Sequence, residues 1–163
     1  MVREEQPPLA LLVPRYGLVE ARVAAPDDPR TMVAMWMIGY EDEPAHSAEI
    51  CLFEIFGRDV GPRRSTVGIG LHPFGDSSIA DDFLREEVAI DARGFHTYAA
   101  TWMPDRVAFY VDDRLVKVAG QSPGYPMQVM LTLYEFAEGP QLGPPADYPK
   151  EFVVDWFRYH RPA

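Results

Sequence analysis

Two glutamates in one apolar run carry most of the chemistry in this sequence. The run is Ala48-Glu49-Ile50-Cys51-Leu52-Phe53-Glu54-Ile55-Phe56-Gly57. Its Ile, Leu and Phe read as a buried strand, and strand interiors exclude carboxylates that have no use. A buried, unpaired carboxylate is costly unless it takes up a proton. Two carboxylates held together can divide acid and base work. One attacks or stabilises an anomeric carbon while the other protonates the departing oxygen, which is the pair a glycosidase needs. Side chains alternate faces along a strand, so in regular geometry Glu49 and Cys51 share a face and Glu54 takes the other. One extra residue near Leu52-Phe53, a β-bulge, would bring Glu54 round to Glu49. Spacing alone leaves both geometries open: a bulged strand with the pair on one face, or a regular strand with a carboxylate at each rim.

The elements that must position this pair are short strands. Pro and Gly punctuate apolar segments at regular intervals, the pattern of an all-β sandwich. Strands are expected at Gly17–Ala24, Thr31–Ile38, Glu49–Phe56, Ser65–Leu71, Phe83–Ile90, Phe95–Met103, Arg106–Val111, Arg114–Ala119, Met127–Leu133 and Glu151–Tyr159. Asp112-Asp113 reads as a hairpin turn, although Asp-Asp is less suited to positive φ than Asp-Gly. Ile79 to Glu87 has some helical character, but Asp81-Asp82 more simply starts a strand after a loop. Glu135 to Pro149 is Gly/Pro-rich and long, the kind of loop that forms lids and rims. Residues 1–15 form a leader, and 16–163 form one domain.

Composition narrows the partners. The formal net charge of −10 argues against nucleic acid, anionic membranes and polyanionic sugars. No apolar run is long enough to span a bilayer. Leu9 to Val13 is too short for a signal-peptide core. As written the chain is expected to be cytoplasmic, or secreted if a leader precedes it. The single cysteine rules out an internal disulfide. No zinc spacing, phosphate-cradling Gly loop or G-x-S-x-G elbow is present. No cofactor or metal is expected. Cys51 is a poor candidate for a thiolate nucleophile, because its neighbours are glutamates rather than cations. The sequence does not speak to oligomeric state.

The chain resembles glycoside hydrolase family 16, the β-glucanases and laminarinases. Glu49-Ile50-Cys51-Leu52-Phe53-Glu54 resembles the family's bulged E-x-D-x-x-E signature. Tyr16-Gly17-Leu18-Val19-Glu20-Ala21-Arg22 is similar to its Y-G-x-x-E-A-R strand, and Met35-Trp36-Met37-Ile38-Gly39 to its F-W-L-x-G strand. Phe95-His96-Thr97-Tyr98 through Trp102-Met103-Pro104-Asp105 to Tyr110-Val111-Asp112 resembles F-H-x-Y-x-x-x-W-x-P-D and the next hairpin. Phe152 to Tyr159 resembles the closing strand. The resemblance implies a concanavalin A-like jelly roll, two antiparallel sheets with a concave cleft. It implies Glu49 as nucleophile and Glu54 as general acid/base, with Trp36, His72, Trp102 and Tyr134 in reach of a saccharide.

Departures from the family pattern bear on activity. The central Asp is Cys51, Ser47 stands two residues before Glu49 where many members carry a nearby Trp, Met32 replaces another Trp, and Thr132 replaces a common Asn. Relatives often hold Ca²⁺ partly through the Asp of the closing strand, Asp155 here, but its partners are missing, so the ion is not expected. Three functions stand open: a retaining β-glycosidase on a β-linked glucan, an intracellular enzyme reusing the glutamates for cyclisation or isomerisation of a small molecule, and a non-catalytic saccharide binder.

Overall fold

The structure, a computed structural model, describes residue 4 and residues 9–40, 43–137 and 148–162. Ten strands are formed: β1 Gly17–Ala24, β2 Thr31–Gly39, β3 Glu49–Phe56, β4 Ser65–His72, β5 Asp82–Val88, β6 His96–Trp102, β7 Val107–Val111, β8 Arg114–Ala119, β9 Met127–Glu135 and β10 Val153–His160. They build two antiparallel five-stranded sheets, ordered β10-β1-β6-β7-β8 and β5-β4-β3-β2-β9. This is the expected all-β sandwich. No helix among the described residues is long and apolar enough to cross a membrane.

Alternation decides which side chains fill the space between the sheets. One sheet sends in Val19, Ala21 and Val23 from β1 and Tyr98, Ala100 and Trp102 from β6. The other sends in Val33, Met35 and Met37 from β2 and Val67, Ile69 and Leu71 from β4. The Phe53 ring of β3 meets the Tyr98 ring at 4.6 Å between centroids, joining the two layers. Full burial of side chains this large stabilises by about 1.5–3 kcal/mol each.

β3 breaks the alternation once. Against β2, Met35 pairs with Phe53 and Trp36 with Cys51. Against β4, Cys51 pairs with Gly70 and Glu54 with Gly68. Leu52 is therefore the extra residue toward β2, and toward β4 Leu52 and Phe53 together stand opposite Ile69. Leu52 and Phe53 are adjacent, and both are buried in the core. Two consecutive inward residues reverse the alternation beyond them. Ile50 and Ile55 both face inward, and Glu49, Cys51 and Glu54 all face outward.

Strand ends differ from expectation by a few residues. β5 starts at Asp82 and stops at Val88, short of Ile90. β9 runs on to Glu135, taking the first residue of the expected loop. That loop's middle, 138–147, lies outside the described residues, as do residues 1–3 and 5–8 of the leader. A 3₁₀ turn, Gly57–Asp59, follows β3. Asp112 and Asp113 do adopt positive φ, 47° and 62°. Asp112 compensates with its side chain: Oδ1 accepts the Thr97 N–H at 2.9 Å, and Oδ2 lies 2.6 Å from His96 Nδ1.

Candidate active site

Antiparallel register fixes which outward side chains stand side by side on the second sheet. Glu49 pairs with Ile38 of β2 on one side and His72 of β4 on the other. The next row runs Trp36, Cys51, Gly70, Phe83 across β2, β3, β4 and β5. A third row runs Ala34, Glu54, Gly68, Arg85. The two carboxylates thus sit on one face, flanking Cys51.

The two glycines make room for this arrangement. A Cβ on Gly68 would come within 2.5 Å of Phe83 Cζ and 3.1 Å of Glu54 Cβ. Gly70 has φ +143°, and a Cβ there would meet the Asp82 carbonyl oxygen at 2.1 Å. With no side chains on β4 in these rows, the Phe83 ring lies down beside Glu54.

Burial and charge set the protonation of the group. Burial, and then the charge of Glu54, push the Glu49 carboxyl up to about 7. Burial also raises Glu54, but Arg85 and His72 oppose the rise. Burial raises the Cys51 thiol well above its ordinary range, and both glutamates add to the effect. Cys51 is therefore a neutral spacer between two carboxyls that disfavour ionising together. Its Sγ lies 4.0 Å from the Gly68 carbonyl oxygen, a long contact for a weak thiol donor.

The expected saccharide contacts divide. Trp36 is partly buried beside Cys51, and its Nε1–H donates to Thr132 Oγ1 at 3.3 Å. His72 stacks on Phe83 with centroids 4.5 Å apart, and its Nδ1 lies 3.2 Å from Asp81 Oδ1. Tyr134 is exposed on β9 opposite Met32, which pairs with Phe56. Trp102 needs correction. It belongs to the other sheet, is fully buried, and its Nε1–H donates to Ser122 Oγ at 2.9 Å and the Pro123 carbonyl at 3.1 Å. Tyr16 packs edge-on against it at 5.3 Å. An indole held inside the sandwich cannot stack on a ligand at the outer face.

Three groups escaped sequence reading. Phe83 and Arg85 share the outward face of β5, which the alternation Phe83, Arg85, Glu87 encodes once the strand is placed. Arg85 pairs with Asp59 and its guanidinium lies 5.0 Å from the Phe56 ring centroid. The third group lies at the entry to β3. The Ala48 N–H donates to the Tyr125 hydroxyl at 2.8 Å, and that hydroxyl donates to buried Asp76 at 2.8 Å. Nothing in the spacing of residues 48, 76 and 125 signals this contact. Asp155, which the family resemblance relates to a Ca²⁺ site, is engaged by the Arg22 guanidinium, and no group of three or more His, Cys, Asp or Glu among the described residues is arranged to hold a metal ion.

Comparison with known proteins agrees with this architecture. The sequence profile of the glycosyl hydrolases family 16 matches residues 14–158. Two endo-1,3-1,4-beta-glycanases of Rhizobium meliloti (strain 1021) are similar. ExsH is 30% identical over 135 residues, and EglC is 26% identical over 132 residues. In each case 81% of this chain is matched, and the chain spans only 27% of the relative's length. Among solved structures, the Bacillus licheniformis beta-glucanase superposes with a TM-score of 0.74 at 22% identity. That match covers 93% of this chain and 69% of the glucanase, and it speaks to the fold. The profile match spans nearly the whole sandwich, including the paired glutamates, and the chain belongs to glycosyl hydrolase family 16.

Proposed function

We propose that this domain is a retaining β-glycosidase acting on a β-linked glucan or a related saccharide, with Glu49 as nucleophile and Glu54 as general acid/base. The observation that carries the reading is the insertion at Leu52, which sets two partly buried carboxyls on one open face in electrostatic contact. Ionised Glu49 attacks the anomeric carbon while protonated Glu54 delivers its proton to the glycosidic oxygen, and the bond to the leaving sugar breaks. Glu54, now a carboxylate, takes a proton from water as the water oxygen attacks the anomeric carbon. Glu49 leaves as a carboxylate and the configuration is retained. Trp36 and Tyr134 offer flat apolar surface to sugar rings on the same face. The relatives that are named endo-1,3-1,4-beta-glycanases make mixed-linkage β-glucan the first substrate to try.

Cys51 favours a second reading. A neutral thiol replaces the group that would share a proton with Glu49, which suits acid–base chemistry on a small molecule, a cyclisation or isomerisation that needs no glycosyl ester. A panel of mixed-linkage β-glucan, laminarin and β-galactan, assayed for reducing ends, separates the two. The glycosidase reading predicts release that falls at least about a hundredfold in both Glu49→Gln and Glu54→Gln. Binding without release from every polymer would leave a saccharide binder, and neither binding nor release would favour the small-molecule enzyme.

A further inference from the structure

The two carboxyls of the pair have unequal surroundings: Arg85, and after it His72, favour the charge on Glu54, whereas burial and Glu54 both disfavour it on Glu49. Arg85 starts on β5, two strands from Glu54, in the row Glu54–Gly68–Arg85. Gly68 adds no side chain of its own, and the tip of the Phe83 ring fills the place its Cβ would take. The guanidinium reaches back toward β3, 5.0 Å from the ring centroid of Phe56, the next outward residue of β3 after Glu54. Asp59 at the end of the 3₁₀ turn holds it there as an ion pair, and Arg58 packs on the same Phe56 ring at 4.4 Å.

Other charged or titratable groups on this face do not serve Glu49 in the same way. β2 gives Glu49 and Glu54 only Ile38, Trp36 and Ala34, and β9 gives Gln128, Met130 and Thr132 beyond them, with Tyr134 one row further, opposite Met32. On β4, His72 neighbours Glu49 in register but directs Nδ1 to Asp81 and stacks on Phe83. On β5, Glu87 is paired with Arg64. Within β3, Cys51 is neutral. Glu54 is thus the carboxyl with a fixed cation near it.

We propose that Arg85 is a positioning residue for the pair: across the side-chain-free Gly68 it holds the negative charge on Glu54 and leaves the proton on Glu49. The electrostatics agree in direction. Arg85 is the strongest influence opposing the burial of Glu54, whereas Glu49 has burial and a neighbouring negative charge both acting against ionisation. The inference rests on the glycosidase reading for its consequence. Attack by Glu49 needs the opposite arrangement, so the proton must pass from Glu49 to Glu54 before the bond breaks, and Arg85 keeps the productive form in the minority. Removing the guanidinium should raise that minority.

The test is a titration of the side-chain carboxyl carbons by NMR, without substrate, in the parent and in Arg85→Met, Arg85→Gln and Arg85→Lys. Glu49→Gln and Glu54→Gln assign the two resonances. Methionine keeps an unbranched apolar side chain without the charge, and lysine keeps the charge. The proposal expects Glu54 to ionise before Glu49 in the parent. It expects the Glu54 midpoint to rise by about one pH unit in the two neutral variants, and to stay near the parental value in Arg85→Lys. Glu49 ionising first in the parent would overturn it. So would an unmoved Glu54 in a neutral variant whose remaining spectrum matches the parent. A failure to hydrolyse any saccharide would sink the glycosidase reading and leave this titration unaffected.

Discussion

Glu49 and Glu54 project from the same face of β3 although an odd number of positions separates them, because Leu52 enters the strand as an extra residue. The insertion is held in place by packing. Leu52 and Phe53 both point into the core, where Phe53 stacks at a tilt on Tyr98 of the opposite sheet. Restoring a regular strand would bring one of these side chains to the surface, at a cost of about 1.5–3 kcal/mol from lost burial alone. The core therefore maintains the geometry of the pair.

Cys51→Asp tests what that geometry lacks. An Asp between the glutamates could share a proton with Glu49 and help hold the pair in opposite protonation states. Saccharide turnover should rise, with terms of this kind contributing about 10²–10⁴-fold when complete. The position is almost fully buried, so the added carboxyl should lower the melting temperature at neutral pH. Turnover that stays flat or falls in a folded Cys51→Asp variant would count against the glycosidase reading and for a site rebuilt around the thiol.

Stability should carry the signature of Glu49. Its carboxyl is raised from an ordinary 4.5 to about 7 by burial and then by Glu54. The folded state then binds this proton more tightly than the unfolded state. The contribution is most favourable below pH 4.5, falls as the pH rises through about 7, and is flat above. Glu49→Gln removes the ionisation. Urea denaturation of parent and variant should give a difference that grows from near zero at pH 4 to about 2–3 kcal/mol in favour of the variant at pH 8. Parallel profiles would show that Glu49 is not perturbed.

Tyr125→Phe probes the entry to β3. The hydroxyl lost is the acceptor for the N–H of Ala48, the residue before Glu49, and the donor to Asp76. Leaving these partners unsatisfied should cost about 1–3 kcal/mol in denaturant unfolding. If the contact also aims Glu49, kcat should fall by about ten- to a hundredfold at temperatures where the variant is fully folded. An unchanged kcat would confine the network to stability.

Much of this was readable in advance, for identifiable reasons. The apolar alternation of β3 stumbles at Leu52-Phe53, and that stumble is the bulge. Strand positions followed from Gly and Pro punctuation. Trp102 lies in the core and not at the site, because an aromatic type says nothing about its face. The better signal was in its own strand: Thr97 and Thr101 share one face of β6, leaving Tyr98, Ala100 and Trp102 for the core. Arg85 is not legible in the sequence because its place beside Glu54 depends on Gly68 of another strand. A pairing of β3, β4 and β5 in register has to be known before an arginine at the sheet's edge can be placed beside Glu54. The contact of Tyr125 with Ala48 and Asp76 joins loops distant in sequence, and no local pattern encodes it.

The central claim is that Glu49 forms a bond to the sugar while Glu54 handles the proton. It is tested most directly by trapping that bond. A β-oligoglucoside with fluorine in place of the hydroxyl next to the anomeric carbon, carrying an activated leaving group, forms the glycosyl ester readily and releases it slowly. After incubation, intact-protein mass spectrometry should show one added sugar unit per chain, and peptide mapping should place it on Glu49. Glu49→Gln should not be labelled. Label on Glu54, or a chain that turns over natural β-glucan yet never carries the label, would contradict the assignment.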